Sequence, residues 1–225
     1  MPSDSQSVRA ISFGVGFATG LYGISFGALS VAAGLDFWQT MALSLLMFSG
    51  GSQFAFIGVI ATGAGVLPAI LSAWLLGVRN GFYAIRLAPV LSLSGLLKPL
   101  GAQLTIDESN AVSLSQEPDL AKQRKGFWFT GIAVFVFWNL LTAAGALLGS
   151  VIGDPADWGL DAAAGAAFLG LIWPSLKKSK LLLLAVVSAF TATLLSEFVP
   201  AGIPVLLTAL VAVAFWLVEL LGKRK

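Results

Sequence analysis

The chain has no cysteine and no histidine, and only 11% of its 225 residues are charged. Without cysteine there are no disulfides, thiolate metal sites or thiol nucleophiles. Without histidine there is no imidazole base, ligand or proton relay. Soluble domains of this size carry about 25% charged residues, so the low figure excludes an ordinary soluble fold. What fills the chain instead is apolar: 57% hydrophobic residues and a mean hydropathy of +0.91. The composition therefore describes one integral, all-α membrane domain over 1–225, with no room for a separate soluble domain. The sequence pI of 9.0 does not point to nucleic acid, because the basic residues flank apolar runs and read as topology signals.

Apolar runs and turn residues predict about seven transmembrane helices, at 10–34, 40–61, 67–91, 127–151, 159–176, 181–198 and 201–221. They leave one long polar stretch, 93–125, which is predicted to be a cytoplasmic loop. An uncharged first span of this length is too long for a signal peptide and reads as a retained helix. It holds two small-xxx-small steps, Gly16 to Gly20 and Gly23 to Gly27, which suit close helix packing. Within the polar stretch, Thr105 and Glu108 have capping-box spacing, predicting a short helix from Ile106 to about Leu114. Seven crossings put the termini on opposite sides. Ten of the thirteen Lys and Arg residues then fall on one face, giving an outside N-terminus and a cytoplasmic C-terminus in a bacterial inner membrane. Arg9 alone disagrees. GALSVAAGLDF from Gly27 echoes GALLGSVIGDP from Gly145, which would make a weak inverted repeat.

Arg79 is the residue that composition leaves unexplained. It lies about 18 Å into its span at 1.5 Å per residue, past the middle of a layer about 30 Å thick. A central Arg costs on the order of 2.5–3.5 kcal/mol on insertion scales, so a polar site should surround it. At similar depth in the preceding span stands Phe48-Ser-Gly-Gly-Ser-Gln-Phe54. Gly50 and Gly51 each weaken a helix by roughly 1 kcal/mol, so a broken helix is expected there.

These motifs together, FSGGSQF, GVRNGFYAIRLAP and the later Asp-Glu, make the chain similar to the AzlC family over about residues 8–220. The resemblance implies the larger subunit of a bacterial branched-chain amino acid exporter, a permease paired with a small AzlD-type membrane protein. It also implies a site that takes in Gly50, Gly51, Ser52, Gln53, Phe54, Arg79, Tyr83, Asp107 and Glu108. Many members have Asp and His flanking the Val-Arg pair, where this chain has Gly77 and Asn80, and a Thr before the Asp-Glu pair, where it has Ile106 with Thr105 one place earlier.

Such a substrate needs a cation or helix N-terminus for its carboxylate, acceptors for its ammonium and an apolar wall. Arg79 and the half-helix near Ser52 suit the first. Ser49, Gln53, Asn80 and carbonyls at the Gly50-Gly51 break suit the second, and Phe48, Phe54, Trp74, Phe82 and Tyr83 the third. With Gly77 replacing the family's Asp, Arg79 is expected to await an anion. The alternative is a structural ion pair with Glu197 or Asp107, with Asp107 and Glu108 merely capping a solvated helix. An enzyme is not expected. Ser52 in its small-residue setting lacks the His or Lys base that a serine protease needs, and no metal-ligand spacing or cofactor motif is present. Expected partners are the AzlD-type subunit, the lipid bilayer and an amino acid, with self-association open. A channel, a carrier of another small solute and a non-transporting subunit remain alternatives.

Overall fold

A computed structural model describes residues 4–151, 157, 169, 173, 176–199 and 203–222. Its described residues are helical: α1 Asp4–Ala32, α2 Phe37–Leu46, α3 Gly50–Ala61, α4 Val66–Leu91, α5 Leu97–Gln103, α6 Asp107–Leu114, α7 Leu120–Gly149, α8 Ser179–Ser196 and α9 Ile203–Gly222. By length and composition α1, α7 and α8 can each cross a membrane. The predicted fifth span, 159–176, falls almost entirely outside the described residues.

The frame is the seam between α1 and α7. Val8, Ser12, Gly16, Gly20, Gly23, Gly27 and Ser30 are buried along α1 at three- and four-residue steps, which places them on one helix face. Gly16 faces Ala133, Gly20 faces Phe137, Gly23 faces Thr142, and Gly27 faces Gly145 and Ala146. Ser12 meets Thr130 by a 2.9 Å hydroxyl–hydroxyl hydrogen bond. Both numberings rise together, so the two helices run parallel. The starts of the echoed segments, at Gly27 and Gly145, therefore lie side by side in the same sense, and inversion does not relate them.

Between these helices the chain makes two excursions that turn back. Asp36 caps α2, accepting the Gln39 N–H at 2.8 Å while Gln39 Oε1 accepts the Asp36 N–H at 2.9 Å. The chain then runs inward to Phe48, whose ring meets Phe135 at 5.0 Å. It reverses over Met47–Ser49 and climbs again, so that Phe54 packs on Phe26 and Trp138. Gln53 Nε2 donates to the Leu43 carbonyl at 3.1 Å. A continuous helix would hold those residues about 15 Å apart. The expected broken span is thus a re-entrant hairpin, and Gly50 and Gly51 open its second arm instead of forming the break.

The helix α4 returns antiparallel to α1. Its final turn reaches the start of α7, where Arg124 Nε donates to the Val90 carbonyl at 2.7 Å. From there the predicted loop 93–125 also enters the bundle. Leu104 packs on Gly131 and Val112 on Gly126, so the chain rises about 10 Å along α7 from the level of Arg124 and comes back. Gln103 Nε2 donates to the Leu45 carbonyl at 2.8 Å, joining this second tip to the first. Leu104, Ile106 and Val112 are buried, as are Ser109 and Ser113. A solvated loop is the wrong description.

The capping box is also relocated. The Thr105 hydroxyl donates backwards to Gly101 O at 2.7 Å. Ser109 Oγ accepts the Ile106 N–H at 3.1 Å and bonds Leu104 O at 2.6 Å, so α6 begins at Asp107.

Two hairpins entering from opposite ends contribute Phe48, Phe54, Leu104 and Ile106 to one core with Phe26, Val134 and Trp138. Neither hairpin crosses. Counting 40–61 as a crossing put the N-terminus and the 93–125 stretch on opposite sides. In the structure the starts of α1 and α7, the end of α4 and the open end of the second hairpin share one end.

Candidate functional site

Irregular backbone at membrane depth is tolerated only where protein buries it or where it lines a cavity. Both hairpin tips meet that condition, and they do so at mid-height. Phe48 and Leu104 sit against residues 131–135, near the centre of α7, and Arg79 is central in α4. A cavity of about 400 Å³ opens there. Its polar side is Thr19, Ser49, Gly50, Gly51, Arg79, Asp107 and Glu108; its apolar side is Phe48, Phe54, Ile106, Val134 and Trp138, with Tyr22 at the edge.

Two of the three charges in this chamber are bonded to each other. Arg79 Nη2 lies 2.7 Å from Asp107 Oδ2, and the Tyr83 hydroxyl donates to Asp107 Oδ1 at 2.7 Å. Asp107 opens α6 and Arg79 sits mid-α4, so the pair joins a hairpin tip to a long neighbouring helix. The expectation that Arg79 awaits an anion is corrected: Asp107 supplies the counter-charge that Gly77 does not. Of the two partners considered for that pairing, it is Asp107 and not Glu197. Arg79 Nε remains buried with no hydrogen-bond partner among the described residues. Glu108 shares the chamber wall with Thr19 of α1. The first N–H groups of a helix have no intrahelical acceptor. At α3 those belong to Gly50, Gly51 and Ser52, two of which line the chamber. The Ser49 side chain does not cap them.

A second cavity, about 560 Å³, lies on the other side of the first tip and shares Phe48 and Ser49 with the chamber. Asn80 Nδ2 donates to Ser49 Oγ at 3.2 Å, and Ser49 Oγ lies 3.2 Å from Ser52 Oγ. Ser52, Gly77 and Asn80 line this second cavity. Of the three positions that depart from the family pattern, Gly77 and Asn80 therefore bear on it, whereas Ile106 lines the chamber.

Of the residues predicted for the site, Ser49, Gly50, Gly51, Phe54, Arg79, Asp107 and Glu108 line the chamber, and Tyr83 reaches it through Asp107. Ser52 and Asn80 face the neighbouring cavity. Gln53 is buried and closes the hairpin. Trp74 and Phe82 are 69% and 67% exposed, so neither walls the chamber. The reading missed Thr19, Tyr22, Ile106, Val134 and Trp138. Of these, Trp138-Asn139 carried a signal, a polar residue in the middle of the apolar run FVFWN.

Membrane-length helices, opposed re-entrant hairpins and a charge-paired chamber between their tips define a polytopic membrane protein with an internal polar site. The AzlC protein family matches residues 14–152. That stretch holds the seam, both hairpins and the chamber, and the protein belongs to this family, which is associated with membrane transport. Two curated Helicobacter pylori proteins, each described as an uncharacterized membrane protein, are similar to it. One, from strain ATCC 700392 / 26695, is 25% identical over 131 residues, and one from strain J99 / ATCC 700824 is 24% identical over 131 residues. Each match covers 58% of this chain and 58% of the relative. No solved structure gives a significant match.

Proposed function

We propose that the protein is the larger subunit of a carrier that exports a small apolar α-amino acid, of the branched-chain class, across the bacterial cytoplasmic membrane. The observation that carries this is the chamber. A guanidinium, two carboxylates and a helix N-terminus face an apolar wall of Phe48, Phe54, Val134 and Trp138. Its 400 Å³ falls at the small end of the range for ligand pockets, about 300–1,000 Å³. Sites between discontinuous helices near the midplane are the usual arrangement in secondary carriers. Membership of the AzlC family supports the reading and adds a small AzlD-type partner.

The shared end described above carries Arg9, Arg86, Lys98, Lys122, Arg124 and Lys125, whereas the turns at 33–36 and 62–65 contain no Lys or Arg. By the positive-inside rule that end is cytoplasmic. The N-terminus is then cytoplasmic too, and Arg9 no longer disagrees.

The test is leucine efflux from preloaded cells that express the protein with its small partner, against cells lacking it. Accelerated efflux is expected. An unchanged rate, with both subunits shown in the membrane, would refute export of this substrate.

A further inference from the structure

The chamber already contains both charges that a zwitterion requires, bonded to each other. Arg79 and Asp107 keep 26% and 16% of their side chains exposed, and both line the cavity. Asp107 has a second anchor in Tyr83, so it does not depend on Arg79 for its position. Arg79 has a buried, unused donor at Nε. The Nε and Nη2 donors form one fork, and a bidentate carboxylate takes both. Asp107 takes only the Nη2 arm.

Building on the transport reading, we infer that a small α-amino acid is recognised by insertion into the Arg79–Asp107 ion pair. The substrate carboxylate occupies the Arg79 fork, using the donor that Asp107 leaves idle. Asp107, released from Arg79 and still held by the Tyr83 hydroxyl, accepts the substrate ammonium. One ion pair becomes two in series, and neither Arg79 nor Asp107 is without a partner in either state. A partly buried charge that loses its partner is costly, which makes the mechanism selective. A carboxylate with no ammonium would displace Asp107 and leave it uncompensated. An amine with no carboxylate would do the same to Arg79. The apolar wall then selects the side chain, and the paired charges select the α-amino acid group.

Ligand-induced thermal stabilisation of the purified protein tests this without requiring transport. The probes are leucine, 4-methylpentanoate, which lacks the ammonium, and 3-methylbutylamine, which lacks the carboxylate. Wild-type protein is expected to bind leucine on the order of tenfold or more tighter than either analogue. Asp107→Asn removes the resident anion and should reverse the order, binding 4-methylpentanoate better than leucine. Equal binding of leucine and either analogue by wild type overturns the inference, as does unchanged preference in a folded Asp107→Asn protein. If that variant does not fold, the wild-type series alone decides. Leucine binding with the expected preference but no efflux would remove the export reading and leave this one standing; no leucine binding removes the insertion mode.

Discussion

Gly27→Ala separates the two forces acting on a helical glycine. An Ala in a helix interior is favoured over Gly by about 1 kcal/mol, so on propensity alone the change stabilises α1. At this position a Cβ would overlap the Thr142 carbonyl oxygen, the Ala146 nitrogen and the Gly145 carbonyl carbon, all backbone atoms of α7. None of them can rotate away, and the seam would have to open by roughly 1 Å to restore ordinary contact. Overpacking of this kind costs about 1–3 kcal/mol, and rigid backbone puts it at the upper end. The net expectation is a loss of about 1–2 kcal/mol. Gly14 and Gly58 supply the control, since nothing lies within 4 Å of a Cβ at either; Ala there should be neutral or stabilising by up to about 1 kcal/mol. The assay is equilibrium unfolding of purified protein in mixed micelles at rising SDS fraction, followed by tryptophan fluorescence. A Gly27→Ala protein as stable as Gly14→Ala would refute the parallel α1–α7 seam and the assignment of these glycines to packing.

Three further outcomes are expected. Tyr83→Phe removes the 2.7 Å bond to Asp107; a hydrogen bond to a charged group is worth about 1.5–3 kcal/mol, so the SDS midpoint should fall. Leucine affinity should fall as well, because Asp107 loses its remaining anchor once Arg79 is released, so that unchanged affinity would exclude Tyr83 from the site. Ser109→Ala leaves the Ile106 N–H and Leu104 carbonyl at the second tip without their side-chain partner, at a cost of about 1–3 kcal/mol, read as a lower SDS midpoint. Single cysteines in this cysteine-free chain report topology: Ser7→Cys and Gln116→Cys should both resist an impermeant reagent in intact cells while Ala61→Cys reacts, and opposite behaviour of the first two would contradict the shared end.

The long helices were legible because their signals are local. Apolar runs and turn residues placed α1, α4, α7, α8 and α9 to within a few residues at most ends, although α1 and α7 begin six or seven residues earlier than expected. The FSGGSQF stretch and Arg79 announced a mid-depth polar site. The second hairpin was not legible, because Asp107, Glu108, Ser109, Asn110 and Ser113 give α6 the composition of a solvated helix. Its burial depends on bonds that composition does not encode: Ser109 to its own tip, and Asp107 to Arg79 and Tyr83. The first hairpin was read as a crossing because its two arms add up to the length of a membrane helix. Only the Gln53–Leu43 bond across the reversal distinguishes a fold-back from a kink. Each difference turned on a long-range partner, and one of them, the uncounted reversal, is why the proposed side of the N-terminus differs from the one that the sequence predicts.

The central claim is that the Arg79–Asp107 pair handles substrate and is not merely a brace between α4 and the second hairpin. Neutralising only one partner would confuse the two roles by leaving an uncompensated charge. The double variant Arg79→Gln, Asp107→Asn removes both charges together, and replacing a whole buried pair by neutral groups of similar size is often close to neutral for stability. Leucine efflux is then measured for wild type and the double variant, co-expressed with the small partner, at matched amounts of folded protein. The account predicts a folded variant with no leucine efflux above that of cells lacking the protein. Efflux at the wild-type rate would contradict it.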